Sequence, residues 1–475
     1  MHGWGMMKYG RCGDRINERV EVPPKVEKYL RCYGADEKWC SVTPVPEGIE
    51  NVVVIPALAE SNHLFKTLAS LSRNDRESIK KTFVLCVINN RGKGGAANDD
   101  IEDNRKTIDA MRRIMGRRLS PKDGCEIREI MDKLRFLSYI DASSPGFELP
   151  RKRSGVGLAR KIGMDTALKV FDYKRQVPRL IFSLDADTLV ESNYLESIRL
   201  NFKTRRLTAA TVAFSHQRGE GGPTDDAICW YETFIRYYTM GLEYAGSPYA
   251  YHSIGSTIVC TAEGYLSVRG MSIREAGEDF YFLNKLAKTA PISIITDTRV
   301  HPSARVSMRV PFGTGKTMAH LSDGRPLHHV TYNPEVFNIL KQWIQCMALN
   351  VTVSEERLIK EAERIHPALA DFLVREGIAP MWRKLRNNST GDVVMLRHIH
   401  TWFDALKTFK LIRYMTRCVY PPMDMYCALT RLLRMMNSDL PAMLRETRLP
   451  TKAFRKDVLT CLQGFHFESS LVEEM

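Results

Sequence analysis

The sequence lacks long apolar runs and lacks any cysteine pattern typical of a metal site. Its best apolar stretch, residues 52–59, contains Pro56 and has only the length of a strand, so no membrane-spanning helix is predicted. The eleven cysteines form no C-x-x-C pair and no zinc-ligand spacing. The N-terminal residues show no apolar segment of the kind that directs secretion. We therefore expect a protein of the reducing cytoplasm.

The composition of the 475 residues is otherwise that of a globular protein. Apolar residues make up 44% of the chain and charged residues 26%, which excludes a disordered chain, a collagen and a disulfide-framed miniprotein. The 69 Lys and Arg residues outnumber the 55 Asp and Glu residues, and the formal net charge is +14. This excess favours anionic partners: phosphates, nucleotides, nucleic acid or acidic lipid headgroups.

Apolar, β-branched runs alternate with helical patterns in the first half of the chain. Strands are predicted at residues 51–56, 82–90, 135–141 and 179–187, and helices at 61–80, 101–118 and 156–171. This alternation predicts an α/β fold with a parallel sheet and helices on both faces. Such sheets bind ligands at the carboxyl ends of their strands, so the residues that follow each strand are the candidates for a site.

Three parts of the chain are predicted from breaks and changes in pattern. Residues 1–48 form an N-terminal extension, in which Pro23-Pro24 and the prolines at 44 and 46 act as breaks. Residues 49–325 form the α/β domain, and residues 326–475 form a mostly α-helical C-terminal domain. The last part is assigned from long helical stretches at 335–350, 354–376, 393–417 and 423–436.

Two carboxylates, Asp185 and Asp187, stand at the end of the fourth predicted strand. Residues two apart on an extended strand point to the same side, so both carboxylates can share one divalent cation. Oxygen ligands of this kind suit Mg²⁺ or Mn²⁺, which can neutralise a nucleotide diphosphate. The alternative is a solvated strand-to-helix turn, because a D-x-D pattern alone is common.

Together with four other segments in the same order, this pattern resembles the family 2 glycosyltransferases, which have the GT-A fold. The segments are V-V-V-I-P-A-L-A-E (52–60), G-V-G-L-A-R-K-I-G-M-D (155–165), L-D-A-D (184–187), I-G-S-T-I-V (254–259) and G-E-D-F (277–280). The resemblance covers about residues 50–320. It implies a hexosyltransferase that uses Mn²⁺ or Mg²⁺ to move a sugar from a UDP- or GDP-sugar donor to an acceptor hydroxyl. No Q-x-x-R-W motif is present, so a non-processive enzyme is expected.

The resemblance also implies roles for individual residues. Asp187 would bind the metal, and Asp185 would lie near the metal or the ribose. Glu60, after the first strand, would contact the nucleotide. The pair Glu278 and Asp279 would supply the catalytic base on the acceptor side, with Asp279 as the base. The alternative for this pair is the start of a helix, where carboxylates stabilise the helix dipole.

Three further residues are predicted to line the donor site: Pro56, Asn89 and Arg160. Asn89 stands at the end of the second strand, where an acidic pair often recognises the base in this family, so the base is not assigned. Lys161 follows Arg160 where Asn is usual, and Ala59 stands where Asn is common. These departures from the family pattern leave the donor open.

An arginine-rich segment over residues 296–317 contributes the last candidates. Many GT-A enzymes add a histidine metal ligand from a loop well after the D-x-D motif, which implies this role for His301. Imidazole is an adequate ligand of Mn²⁺. Arg305 and Arg309 could bind the diphosphate or an anionic acceptor. The alternative is a basic surface loop.

Two other functions remain open at this point. A sugar-nucleotide nucleotidyltransferase has a related fold, but should carry a glycine-rich basic loop after the first strand, where this chain has A-L-A-E-S-N (57–62). A non-enzymatic protein that binds nucleic acid or another anionic ligand would explain the charge but not the two acidic motifs. We therefore expect no nucleic-acid partner. Peripheral contact of the basic helices with a membrane surface also stays open. The acceptor, the oligomeric state and the stereochemistry of transfer, inverting or retaining, are not predicted.

Overall fold

The computed structural model describes residues 22–44, 46–92, 94–121, 123–152, 154–218, 223–305, 330–438, 444 and 452–464. Within them the chain divides into two compact units. The first comprises the described residues up to Gln217 together with Ser253–Ser303, and the second comprises Arg218–His252 and the described residues from Ala304 onward. Among the helices of these ranges, none combines the length and the apolar character needed to cross a membrane.

The first unit is built on a sheet of eight strands. They are β1 (Asn51–Ala57), β2 (Thr82–Asn89), β3 (Leu137–Ala142), β4 (Leu180–Ser183), β5 (Leu189–Val190), β6 (Ala209–Phe214), β7 (Ile258–Thr261) and β8 (Ile292–His301). Their order is β3-β2-β1-β4-β7-β6-β8-β5. The first four in this order are parallel, whereas β7 is antiparallel to both of its neighbours and β5 is antiparallel to β8.

Helices flank this sheet. They are α1 (Pro24–Tyr33), α2 (Leu64–Ser72), α3 (Arg76–Ile79), α4 (Asn98–Met115), α5 (Cys125–Lys133), α6 (Val156–Val170), α7 (Tyr194–Thr204), α9 (Ala262–Ser267) and α10 (Glu278–Ala287). The α/β class, the flanking helices and the helical C-terminal region predicted from the sequence are confirmed. The parallel arrangement holds for the predicted strands, and the later strands make the sheet mixed.

The central strands are buried along their whole length. Every residue of β1 and β2 is buried, as expected of parallel strands that are covered on both faces. Helix α6 comes very close to β1, because a Cβ at Gly163 would lie 2.3 Å from Cγ1 of Val54. The glycine at this position therefore allows the short distance between α6 and the sheet, and this distance fixes the positions of the side chains of α6 relative to the strands.

The fourth strand is shorter than predicted. It ends at Ser183, and the D-A-D sequence lies in the turn that follows instead of on the strand. The last bond of the ladder to β1 is donated by the Leu184 N–H to the Val54 carbonyl, 3.1 Å away. The next residue of β1 on that side is Pro56, which has no N–H to donate, so the ladder cannot continue.

The N-terminal segment contributes a helix that the sequence did not predict. Tyr29 of α1 donates to the buried carboxylate of Asp165 in α6 (2.8 Å), and the Ala35 N–H donates to its other oxygen (2.8 Å). Tyr265 and Lys161 also donate to this carboxylate, at 2.7 and 2.8 Å. The four bonds compensate for the burial of the charge and attach α1 to α6.

The second unit is mostly helical. Its helices are α8 (Pro223–Tyr244), α11 (Glu335–Leu349), α12 (Glu355–Ile365), α13 (Pro367–Arg375), α14 (Ile378–Asn387), α15 (Asp392–Trp402), α16 (Ala405–Cys418), α17 (Met425–Met435) and α18 (Lys452–Gly464). Two short strands, β9 (Val330–Thr331) and β10 (Met423–Asp424), pair antiparallel. Buried residues of these helices, among them Tyr237, Trp343 and Trp382, form one apolar core. The predicted boundaries at residues 48 and 325 stay predictions.

Candidate functional site

A buried arginine joins the two acidic motifs. Arg160 of α6 is 3% exposed, and its Nη2 donates to Oδ1 of Asp185 at 2.5 Å. Its Nε donates to Oε1 of Glu278 at 3.3 Å, and its Nη1 donates to Oγ of Ser183 at 2.5 Å. One guanidinium therefore holds the end of β4, the D-A-D turn and the first residue of α10 in a fixed arrangement.

A glycine makes room for this guanidinium. Gly255 lies just before β7, and a Cβ there would lie 2.3 Å from Nη2 of Arg160. The segment I-G-S-T can therefore approach Arg160 this closely only because Gly255 has no side chain. Because Gly163 also lets α6 pack against β1, two glycines determine where the charge of Arg160 lies.

The Glu278–Asp279 pair begins α10, after Gly277 in the left-handed conformation (φ 68°). Glu278 is buried and paired with Arg160, while Asp279 is partly exposed and its Oδ1 accepts the N–H of Phe280 at 2.7 Å. The loss of surrounding water on partial burial, together with the neighbouring charge of Glu278, raises the pKa of Asp279 to about 7, although Arg160 and the Phe280 N–H act in the opposite direction. A carboxyl group with such a pKa can accept a proton near neutral pH.

The D-A-D turn presents both of its carboxylates at the surface of the first unit. Asp185 and Asp187 are partly exposed, and Ala186 between them is buried. The turn is closed by a bond from the Thr188 N–H to the Asp185 carbonyl (3.1 Å), and Oγ1 of Thr67 in α2 donates to the Ala186 carbonyl (2.9 Å). Both carboxylates are thus partly exposed, but they lie on a turn, where the alternation of an extended strand does not apply. Their joint binding of one cation stays a prediction.

His301 lies next to this turn. The side-chain amide of Gln217 donates to the carbonyl of Asp187 (2.8 Å) and to the carbonyl of His301 (2.7 Å), so it connects the two backbones directly. Nδ1 of His301 lies 3.0 Å from the carbonyl of Ser215, which can only accept, so this nitrogen carries the proton. Nε2 lies 3.7 Å from Oε1 of Glu191.

These residues fit a divalent metal that is also bound by a substrate. In the described part of the chain, no three His, Cys, Asp or Glu side chains are close enough to hold a metal by themselves. A metal held by one or two side chains plus phosphate oxygens needs fewer protein ligands. The carboxylate of Asp187 and Nε2 of His301 suit this purpose, because the bond from Nδ1 to Ser215 fixes the tautomer that leaves Nε2 available.

Three predicted donor-site residues lie where β1 and β2 end or just beyond. Pro56 is buried within β1, and Glu60 is buried in the loop after it. The side-chain amide of Asn89 donates to the carbonyls of Ala57 and Val87, both at 3.1 Å. Asn89 thus ties the ends of the two strands together, and its contact with a nucleotide stays a prediction.

Asn104 of α4 is a site residue that sequence reasoning missed. It is 1% exposed, and its amide donates to the Asn89 carbonyl (3.0 Å) and to Oδ1 of Asn90 (2.9 Å). Its Oδ1 accepts the N–H of Ala59 (2.9 Å), a non-glycine residue at φ 52°. Asn104 therefore fixes the loop before Glu60. The available signal was its helical spacing with the apolar Ile108 and Met111, which placed an amide on the buried face.

The structure does not test the two predicted arginine clamps. Arg305 belongs to the second unit, and Arg309 lies outside the described residues. Their contact with a diphosphate stays a prediction. Gln217 was also missed, and no sequence signal could have found it, because its partners are backbone carbonyls at distant positions.

The first unit is thus an α/β fold with two acidic motifs joined by a buried arginine. No protein-family model and no curated protein matches the chain. Similar solved structures include S. aureus TarS 1–349 in complex with UDP-GlcNAc, with 12% identity, coverage of 75% of this chain and 91% of that chain, and a TM-score of 0.36. Another is the mannosyltransferase PcManGT from Pyrobaculum calidifontis in complex with GDP-Man and Mn²⁺, with 12% identity, coverage of 79% and 92%, and a TM-score of 0.31. Similarity at this level assigns no residue role and no substrate to this chain.

Proposed function

We propose that this protein is a metal-dependent glycosyltransferase that moves a sugar from a nucleotide-sugar donor to an acceptor hydroxyl. The observation that carries the proposal is the contact of Arg160 with both Asp185 and Glu278. Such a transfer needs a site for the donor diphosphate and a base for the acceptor within one arrangement. The guanidinium supports both requirements, because it holds the D-A-D turn next to the residue that precedes Asp279.

On the donor side, Asp187 and His301 would hold Mn²⁺ or Mg²⁺, with Asp185 oriented by Arg160. The ion would supply positive charge to the diphosphate as it leaves. Pro56, Glu60 and Asn89 would surround the nucleotide of a UDP- or GDP-sugar. Arg305 and Arg309 would bind the phosphates.

On the acceptor side, Asp279 would take the proton of the attacking hydroxyl. The acceptor oxygen forms the new bond to the anomeric carbon while the bond from that carbon to the diphosphate breaks, which corresponds to an inverting displacement. A pKa of about 7 supports this role, because a base is most effective when its pKa is near the working pH. Glu278 is not available for it, since it is buried against Arg160. We further propose a hexosyl donor and a single transfer per encounter.

The proposal is tested by nucleotide binding and donor turnover in the full chain. UDP and GDP are screened by thermal unfolding with Mn²⁺ or with EDTA, and turnover of the matching nucleotide sugars is followed. A ligand at 100 times its Kd stabilises by about 2.7 kcal/mol, which raises the unfolding temperature by several degrees. We expect this increase only with the metal.

Asp187→Ala should remove both the metal-dependent stabilisation and the turnover. Asp109→Ala serves as the control, because Asp109 is an exposed carboxylate of α4 that pairs only with Arg112 among the described residues. Turnover that persists in Asp187→Ala and in EDTA would contradict the proposal.

A further inference from the structure

A cavity of about 290 Å³ lies at the opposite ends of the strands from the D-A-D turn. Its lining residues are Asn74, Arg76, Ile79, Lys80, Asp132, Lys133 and Arg135. Ile79 precedes the start of β2 and Arg135 precedes the start of β3, whereas the D-A-D turn follows the carboxyl end of β4. The cavity is therefore separate from the site described above.

The lining of this cavity is strongly basic. Four of its seven side chains are cationic and one, Asp132, is anionic. Lys80 pairs with Glu77 (2.8 Å) and Lys133 with Glu129 (3.2 Å). Arg76 and Arg135 make no side-chain hydrogen bond or ion pair with any residue that the structure describes. Two guanidinium groups that form no such bond with the described residues thus line one concave surface, in addition to two ammonium groups.

A smaller cavity, whose lining is partly polar and partly apolar, adjoins the basic one. It has a volume of about 100 Å³ and shares Arg135 with the first. Its other lining residues are Thr43, Ile114, Met115, Arg117, Met131, Leu134 and Leu137. A group bound by Arg135 would therefore have the basic cavity on one side and, on the other, a recess that offers apolar side chains beside Thr43 and Arg117.

We propose that the basic cavity, comprising the seven residues above, is a binding site for a phosphate-bearing anion, separate from the donor site. The planar guanidinium binds phosphate oxygens through two parallel bonds. Four cationic side chains around one cavity suit the multiple negative charge of a phosphate better than the single charge of a halide or of one carboxylate. The volume of about 290 Å³ is at the lower limit of small-molecule sites, roughly 300 Å³, and suits one or two phosphate groups. The phosphate is either free or part of a lipid headgroup, in which case the apolar side chains of the smaller cavity, such as Met131 and Leu134, would contact the adjoining carbon atoms.

The test measures binding of pyrophosphate to the full chain in EDTA by calorimetry. The double variant Arg76→Gln with Arg135→Gln should bind roughly tenfold more weakly or worse, because it loses charged hydrogen bonds to the ligand. Arg128→Gln is the matched control, since Arg128 is an exposed arginine of α5 that does not line the cavity. This control and Asp187→Ala should bind as the parent does. Equal weakening in Arg128→Gln would reduce the effect to net charge, and loss in Asp187→Ala would assign it to the donor site; either result overturns the proposal.

A second arm distinguishes the two sources of phosphate. Sedimentation with vesicles of phosphatidic acid in phosphatidylcholine is compared with sedimentation with phosphatidylcholine alone, for the parent and the double variant. If the parent binds phosphatidic acid vesicles and the double variant does not, the result supports a lipid headgroup. If the parent binds pyrophosphate but not the vesicles, and the double variant binds pyrophosphate more weakly, the result supports a free phosphate. If the parent binds neither probe, the proposal is wrong. The three variants carry substitutions at exposed or partly exposed positions, and their unfolding temperatures should stay near that of the parent.

Discussion

Replacing Asp279 by asparagine tests the proposed base with almost no change of shape. The variant keeps the size of the side chain and an oxygen that can accept the Phe280 N–H, but it removes the negative charge and the ability to take a proton. Loss of a general base lowers turnover by about 10²- to 10⁴-fold. Binding of the nucleotide in the presence of Mn²⁺ should stay close to that of the parent, because the proposal assigns Asp279 to the acceptor and not to the donor.

Because the pKa of Asp279 is about 7, the parent and Asp279→Asn should differ in how kcat/KM depends on pH. The ionised fraction of such a group rises from about 0.1 at pH 6 to about 0.9 at pH 8, so kcat/KM of the parent should rise roughly tenfold over this range. Asp279→Asn should show low turnover with no such rise.

The same carboxyl group should reduce the stability of the folded protein at neutral pH. The pKa of Asp279 in the folded state is higher than the value of about 3.9 in an unfolded chain, so the folded state retains the proton over a wider range. The stability that this proton provides is complete below about pH 4 and is lost as the pH rises through about 7. At pH 8 the free energy of unfolding of Asp279→Asn should therefore exceed that of the parent by on the order of 1 kcal/mol or more, and the variant should unfold at a higher temperature. At pH 4 the two proteins should differ little.

The measurements are single-turnover transfer, calorimetric nucleotide affinity and thermal unfolding across pH 4–8. Asp392→Asn is the control, because Asp392 is an exposed carboxylate in the first turn of α15. It should leave turnover unchanged and destabilise slightly, by about 0.3–1 kcal/mol, through the helix dipole. Turnover of Asp279→Asn at the parent rate, or loss of nucleotide binding with the metal present, would refute the base assignment.

Three further outcomes follow from the contacts of the site. Gly255→Ala places a Cβ within 2.3 Å of Nη2 of Arg160, so it should lower the free energy of unfolding by about 1–3 kcal/mol and remove much of the turnover. Gly464→Ala is the control: this glycine has open space around it, so the substitution should change neither thermal unfolding nor transfer. His301→Ala should weaken Mn²⁺-dependent nucleotide binding in calorimetry, and unchanged affinity would exclude it as a ligand. Asn104→Ala leaves buried backbone groups without partners and should lower stability by about 1–3 kcal/mol in thermal unfolding; a parent-like unfolding temperature would contradict its role in fixing the loop.

The sequence determined the elements whose signal is local. The buried strands at β1, β2 and β3 and the helix α6 were predicted to within a few residues, because apolar β-branched runs and helical spacing are properties of neighbouring positions. Predictions from local sequence were wrong where one residue type is compatible with two local structures. Pro24 was interpreted as a break, yet it begins α1, since the first turn of a helix tolerates proline. The stretch 61–80 was predicted as one helix, but Asp75 caps a second one within it.

The tertiary structure alone decided how the candidate site is arranged. Arg160 meets Glu278 across 118 positions of the chain, and Gln217 reaches His301 across 84. No periodicity encodes such contacts, because they depend on the order of the strands and on the close packing that Gly163 and Gly255 permit. The sequence pattern identified Asp279 as a candidate base. Its pKa, however, depends on the loss of surrounding water beside a second carboxylate, and this environment exists only once the chain has folded.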